Sequence, residues 1–527
     1  MKRIIFILMI LNLTYVSSQK QIGSFNPEIE NSSKNIQKSF SIFNKYTDNI
    51  STFLFKKKSI YAYLLNKDFH DKKKLVLKGV KPKYNVIIGK LYDRENNYTL
   101  ILSNNERSKF ILAKFLFNAK KTIITESNFG LKNLRFLQSI NKGNKVHLLF
   151  LNEKNSTIIS RNYHSNGKAT STKFNFQNEK FLITDIKEIS FKKLLVDYTK
   201  PNHREIENIA YELTKINEIP YKNEIVYKSF STTTKRNQTS PTSIDLTSRL
   251  SKLYVNNNNV IITLDKNRFY TQILTLNIDK GTYSFQKIKK PLFSVKKMYK
   301  RSNSFIHNDL LFQVAVSKNI LTFTIYDIKK EQLLKEITAK SNNPINFKNT
   351  PILQEGGAFE KHRDLEKTNK FLRKISQSNI GIGVMKNKNS YEIVIGSSKL
   401  ASKGINTVST ILGAALMSGA PNFIDTNNFS QVSFNSYASY LTTKSVRIHC
   451  LFDENFNHLS GTIEKNLYDK ITRFIKPILS NEKDGIYENV QQKIEVPIAF
   501  DVFKTNNSTI LGSYLPLTKK YSYYKFN

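Results

Sequence analysis

The sequence predicts an all-β fold made of four-stranded antiparallel units. Short strand-like runs recur along most of the chain, hairpin turns separate them, and only one stretch carries a clear helical period. The best-defined unit lies at 134–176. Its runs are 134–140, 145–151, 156–161 and 169–176, with a polar turn at 152–155 and the turn Ser165-Asn166-Gly167. Asn-Gly is a strong hairpin signal because both residues tolerate positive φ. A second unit runs through 260–264, 271–276 and 283–288, and a third through 310–316, 320–326 and 333–337. Further units begin near 84–88, 380–384 and Val446. The helical stretch places Ile463, Leu467, Ile471, Phe474 and Ile475 on one face, and Pro477 limits its end. One amphipathic helix is therefore expected near 461–476.

Aligning the central apolar residues gives a step of 61 from Ile87 to Leu148, 51 from Ile261 to Phe312, and 70 from Phe312 to Ile382. The gap of 113 from Leu148 to Ile261 has room for two units, with 224–227 as a weak filler. Four strands in a step of roughly 40–50 residues, lengthened by insertions, resemble β-propeller repeats in general. The resemblance covers most of 50–527 and implies six to eight blades, with the C-terminal strands closing the ring. It is a likeness of architecture only, since no Trp-Asp dipeptide, Gly-His start or regular kelch glycine pair occurs.

The opening Met1-Lys2-Arg3 is a short positive segment, followed by an apolar run over 4–13. Val16 and Ser18 are small residues at the −3 and −1 positions of a signal-peptidase site. The expected organisation is a signal peptide over 1–18, a flexible polar lead-in over 19–48, and a propeller-like domain over 49–527. The apolar run is too short for a membrane span, which needs roughly 20 residues. An exported protein of the bacterial periplasm or cell surface follows as the expectation.

The net charge is +41, or +39 without Lys2 and Arg3. This balance attracts acidic polysaccharide or lipopolysaccharide. Lys heavily outnumbers Arg and is spread along the chain, as an AT-rich coding bias also produces, so the expected contact is weak and unspecific. Cys450 is the only cysteine, which excludes an intramolecular disulfide, and its place in a strand-like run predicts a small buried side chain.

Catalytic motifs are sparse. The string His362-Arg363-Asp364-Leu365, with Asn369 four residues on, matches a kinase catalytic loop. No glycine-rich loop or Val-Ala-Ile-Lys strand precedes it and no Asp-Phe-Gly follows, so it reads as a polar connector. His449, Cys450, Asp453, Glu454 and His458 are close in sequence, but alternation puts His449 and Cys450 on opposite faces of a strand. No His-Glu-x-x-His, Gly-x-Ser-x-Gly or phosphate-binding loop occurs, and neither cofactor nor metal is indicated.

The segment 404–421 stands apart: it is uncharged, small-residue-rich and apolar. It reads first as a stretch buried against its own domain. The alternative is a loop that docks a ligand or protein partner through Ile411, Leu412, Leu416 and Met417. The functional expectation is a β-rich binding or scaffold protein. A propeller-type hydrolase acting on polysaccharide or peptide is the first alternative, and an outer-membrane β-barrel the second.

Overall fold

The structure is a computed structural model. It describes residues 19–526 apart from 30–35, 37, 71–72, 128–132, 143, 197–210, 212, 217–243, 257–258, 292–300, 357–362, 366, 388, 401–442, 464–469, 472–473, 475–498 and 516–517. The segment 404–421 and the filler at 224–227 lie outside the described residues, as does most of the helix expected near 461–476. Of that helix, Lys470, Ile471 and Phe474 are described and helical. Ile471 is fully buried, and Phe474 packs edge-on against Tyr524 with ring centroids 4.6 Å apart.

The described residues form seven separate sheets. β1 (Gln19–Phe25) belongs to the last of them. Blade 1 holds β2 (Lys38–Phe43), β3 (Ile50–Lys56), β4 (Ser59–Leu65) and β5 (Lys73–Leu77). Blade 2 holds β6 (Val86–Tyr92), β7 (Asn97–Ser103), β8 (Phe110–Leu116) and β9 (Lys121–Ser127). Blade 3 holds β10 (Leu134–Lys142), β11 (Lys145–Asn152), β12 (Thr157–His164) and β13 (Ala169–Phe174), the unit read most clearly from the sequence. Its Asn166-Gly167 turn carries Gly167 at φ +84°.

Blade 4 adds the short β14 (Thr214–Lys215) inside β15 (Ser251–Asn256), β16 (Asn259–Leu264), β17 (Tyr270–Asn277) and β18 (Thr282–Lys289). Blade 5 holds β19 (Arg301–His307), β20 (Leu310–Val316), β21 (Ile320–Asp327) and β22 (Gln332–Lys340). Blade 6 departs from sequence order. β23 (Ile352–Gly356) and β24 (Arg363–Leu365) lie outside β25 (Asn379–Asn387), β26 (Ser390–Leu400) and β27 (Thr443–Asp453). Blade 7 joins β28 (Ala499–Lys504), β29 (Thr509–Leu515) and β30 (Lys520–Phe526) to β1.

The chain is a β-propeller. Seven separate sheets also rule out the membrane barrel, which is one continuous closed sheet. Each blade buries both faces, and this explains the continuous apolar runs. In β4, Ile60, Ala62 and Leu64 pack toward blade 2, while Tyr61, Tyr63 and Leu65 pack toward blade 7. Apolar layers of this kind join blades 7 and 1, 1 and 2, 2 and 3, 3 and 4, and then blades 4, 5 and 6. Outermost strands such as β9 and β22 are largely exposed.

Three expectations need correction. The stretch 19–48 is not a loose lead-in, since β1 runs antiparallel to β30 and β2 is the innermost strand of blade 1. The C-terminal strands therefore close the ring with an N-terminal strand added. The 113-residue gap holds no extra four-stranded sheet among the described residues. A short helix α1 (Phe191–Leu195) instead buries Phe191, Leu194 and Leu195 beneath blades 3 and 4. The apparent steps were uneven because Ile87 lies on a first strand and Leu148 on a second. Measured between innermost strands, which begin at 38, 86 and 134, the step is 48.

Candidate functional site: a basic mouth over a buried charge network

The most elaborate polar arrangement in the described residues begins at Asp265, directly after β16. Asp265 and the side chains of Lys252 and Lys290 are fully shielded from solvent. Lys252 Nζ lies 3.0 Å from Asp265 Oδ2, and Lys290 Nζ lies 3.2 Å from Oδ1. Ser304 Oγ donates to Oδ2 (2.6 Å) and Thr271 Oγ1 to Oδ1 (2.9 Å). Burial alone would push the Asp265 pKa up, but Lys252, Lys290 and the Ser304 hydroxyl outweigh it and hold the carboxyl well below its ordinary range.

The two lysines carry the network across blades. Lys252 Nζ donates to Asn303 Oδ1 (2.6 Å), and Asn303 Nδ2 donates to the Ile380 carbonyl (2.7 Å), so blades 4, 5 and 6 are tied together. Lys290 Nζ donates to the Asn267 carbonyl (2.7 Å) and to Ser302 Oγ (3.1 Å). Asn267 in turn caps its own turn, with its Oδ1 accepting the Phe269 and Tyr270 amides at 2.7 and 3.1 Å. The residues flanking Lys290's contacts, Arg268 and Arg301, are thus presented from fixed backbone.

Arg268, Arg301, Ser376 and Gln377 line an open depression of about 610 Å³ at the end of the ring where the innermost strands start. Ser376 and Gln377 end the helix α3 (Thr368–Ile375), whose Phe371, Leu372 and Ile375 are buried against blade 6. Helix α2 (Ile244–Thr247) packs on β25 beside it. Two arginines lining one depression suit a sulfate, phosphate or carboxylate group. None of the four lining residues carries a carboxylate, the group a hydrolase at this mouth would need.

The residues singled out from sequence fare differently. Ile411, Leu412, Leu416 and Met417 lie outside the described residues. Arg363–Leu365 form edge strand β24, and Asn369 lies in α3. The kinase-like string is therefore split between a strand and a helix and is not one polar connector. Cys450 is fully buried, and burial pushes its thiol pKa far up, as befits an inert core residue. His449 Nδ1 pairs with Glu392 Oε1 (2.9 Å), Glu454 pairs with Lys386 (2.7 Å), and Asp453 Oδ1 accepts the Asn455 and Asn457 amides. His458 Nε2 meets Asn349 Oδ1 at 3.1 Å. Each polar member of that run has its own partner, and no cluster of three metal-ligating residues occurs among the described residues. The Asp265 network was missed because Asp265-Lys266-Asn267 between two strands reads as an ordinary solvated turn.

No family model matches the chain, and no match was found among curated proteins. Solved structures with a similar fold include the WD40 domain of SCAP from fission yeast, at 9% identity and TM-score 0.27, covering 96% of this chain and 87% of that one. The Nup133 β-propeller domain of Vanderwaltozyma polyspora matches at 10% identity and TM-score 0.24, over 68% of this chain and 80% of that one. The uncharacterized protein lmo1340 of Listeria monocytogenes matches at 9% identity and TM-score 0.27, over 70% and 82%.

Proposed function

We propose that this chain is an exported binding or scaffold protein of the bacterial periplasm or cell surface that takes an acidic polysaccharide at the basic mouth of its ring. The observation that carries this reading is the pairing of Arg268 and Arg301 over an open depression, on backbone fixed by buried Lys290. The overall charge of +41 would gather a polyanion at long range, and the arginine pair would seat it. Export is supported by the leader over 1–18.

Heparin serves as the probe. Binding should weaken steeply between low and moderate salt, because it rests on counterion release. The double substitution Arg268→Met with Arg301→Met should weaken it about tenfold or more, the loss of roughly 1.4 kcal/mol or more. Heparin binding that is unchanged in the double variant removes the mouth from consideration. For export, mass spectrometry of the protein from its native host should find a mature chain starting at Gln19, and an intact Met1 in the exported fraction would refute the leader.

A further inference from the structure

A second open cavity, of about 520 Å³, lies at the same end of the ring as the arginine mouth. The turn between β11 and β12 forms one wall. That turn stands beside the start of innermost β10, since Asn152 pairs with Leu134. The chain that leaves β13 forms the other wall. Residues 181–189 fold there as a small hairpin, in which Leu182 bridges Glu188 and the Ile189 amide donates to the Phe181 carbonyl (2.8 Å). Both walls are fixed. Leu182 exchanges two hydrogen bonds with buried Gln272 of blade 4 (2.7 and 2.8 Å), and Asn267 Nδ2 donates to the Thr184 carbonyl (2.7 Å). On the opposite side, Lys192 Nζ of α1 donates to the Glu153 carbonyl (2.8 Å). The rings of Phe176, Phe181 and Phe191 pack together as the floor, with centroids 5.0 to 6.3 Å apart.

The hydrogen-bonding groups that line this cavity are only partly used within the chain. Asn155 Oδ1 accepts from the Thr157 hydroxyl (2.8 Å), and Gln177 Oε1 accepts from Asn175 Nδ2 (3.1 Å). Each amide is thus held by its oxygen, and its two N–H donors stay open among the described residues. Ser190, which makes no side-chain cap bond to α1, adds a hydroxyl. Glu188 Oε1 meets Lys180 at 3.4 Å in an exposed pair, which leaves acceptor capacity on its carboxylate. Open donors and acceptors therefore stand together over an aromatic floor.

We propose that this cavity binds a neutral sugar residue, in a saccharide site separate from the arginine mouth. A sugar hydroxyl both donates and accepts, so one ring can meet the amide donors and the carboxylate acceptor at once while its C–H face rests on the floor. The volume lies within the roughly 300–1,000 Å³ of ordinary small-molecule sites. An acidic group fits poorly. Two carboxylates, Glu179 and Glu188, line the cavity against one cation, Lys154, in a chain with 82 basic and 41 acidic residues. A basic side chain would meet the carboxylates but leave the amide donors of Asn155 and Gln177 unused.

The test uses the full chain with cellotriose, xylotriose, mannotriose and galactotriose, followed by saturation-transfer NMR and calorimetry. At least one of the four should bind saturably. Its binding should persist from low to high salt, since a neutral ligand releases no counterions. Gln177→Ala and Glu188→Ala should each weaken that binding about fivefold or more, the loss of roughly one hydrogen bond. Both side chains are exposed, so the two variants should keep the parental melting temperature and heparin binding. Arg268→Met with Arg301→Met should leave sugar binding intact, which tells a failure of this site from a failure of the mouth. Trilysine that binds while none of the four sugars does would assign the carboxylates to a basic peptide and overturn the proposal. A parent that binds none of the sugars, or sugar binding unchanged in both single variants, also overturns it.

Discussion

Replacing Asp265 by alanine is expected to destabilise the protein by roughly 3–5 kcal/mol, the cost of leaving a buried charge without its partner. Lys252 and Lys290 both lose this carboxylate while their side chains remain fully buried, so the upper part of that range is expected. Asp265→Asn should be nearly as harmful, because it removes the charge and leaves one acceptor oxygen where Ser304 and Thr271 each had their own. Urea unfolding followed by fluorescence measures the shift. A compensating test separates charge from packing: Lys290→Met in the Asp265→Ala background should recover part of the loss, as coupled neighbours do. A simple sum of the two single effects would show that the ion pair is not what the network protects. The effect should reach function as well, because Lys290 joins the Asn267 turn to the start of β19 and so sets the spacing of Arg268 and Arg301. Heparin binding should weaken in any Asp265 variant that still folds.

Between pH 4 and 7 the stability difference between the parent and Asp501→Asn should change by on the order of 2–3 kcal/mol, with the parent gaining as pH falls. Asp501 is buried on β28 at the seam with blade 1. It receives the Ser41 amide and the Tyr521 hydroxyl, and the chain of hydroxyls continues through Ser41, Thr52 and Tyr523 at 2.8 and 2.6 Å. Gly512 makes the seam possible, since a Cβ there would stand 2.3 Å from the Tyr521 hydroxyl and 2.9 Å from Asp501 Oδ1. Among the described residues no cation lies against this carboxylate as two do against Asp265. Burial therefore dominates, and the hydrogen bonds and distant Lys90 only partly offset it, leaving the pKa at about 6 against an ordinary 3.8. The folded state thus binds a proton more readily than the unfolded chain between those two values, and stability falls as pH rises through the window. His147 and His307, whose pKa values burial lowers, act with the opposite sign, so the difference from Asp501→Asn is the informative quantity. Urea unfolding at stepped pH measures it, and parallel curves for the two proteins would show that Asp501 is ionised throughout.

The strands and their turns were legible in the sequence because they are local. A run such as 145–151 buries both faces of β11, and Ser165-Asn166-Gly167 supplies the positive φ that the hairpin turn between β12 and β13 needs. Composition and spacing alone also determined the all-β class, the blade-like repeat and the inert setting of Cys450. Blade membership was decided only in three dimensions. β23 pairs with β27 across more than eighty residues, and β1 pairs with β30 from the far end of the chain. Neither partner is marked by anything in its own strand. The buried charges were hidden for the same reason. Asp265 and Asp501 are both single acids beside strands, and no local pattern distinguishes them. Two lysines packed against one hold it ionised, while burial lifts the other's pKa to about 6, offset only in part by the hydrogen bonds around it. A side chain's charge state depends on what surrounds it in space, and in a propeller those surroundings come from neighbouring blades, tens to hundreds of residues away along the chain.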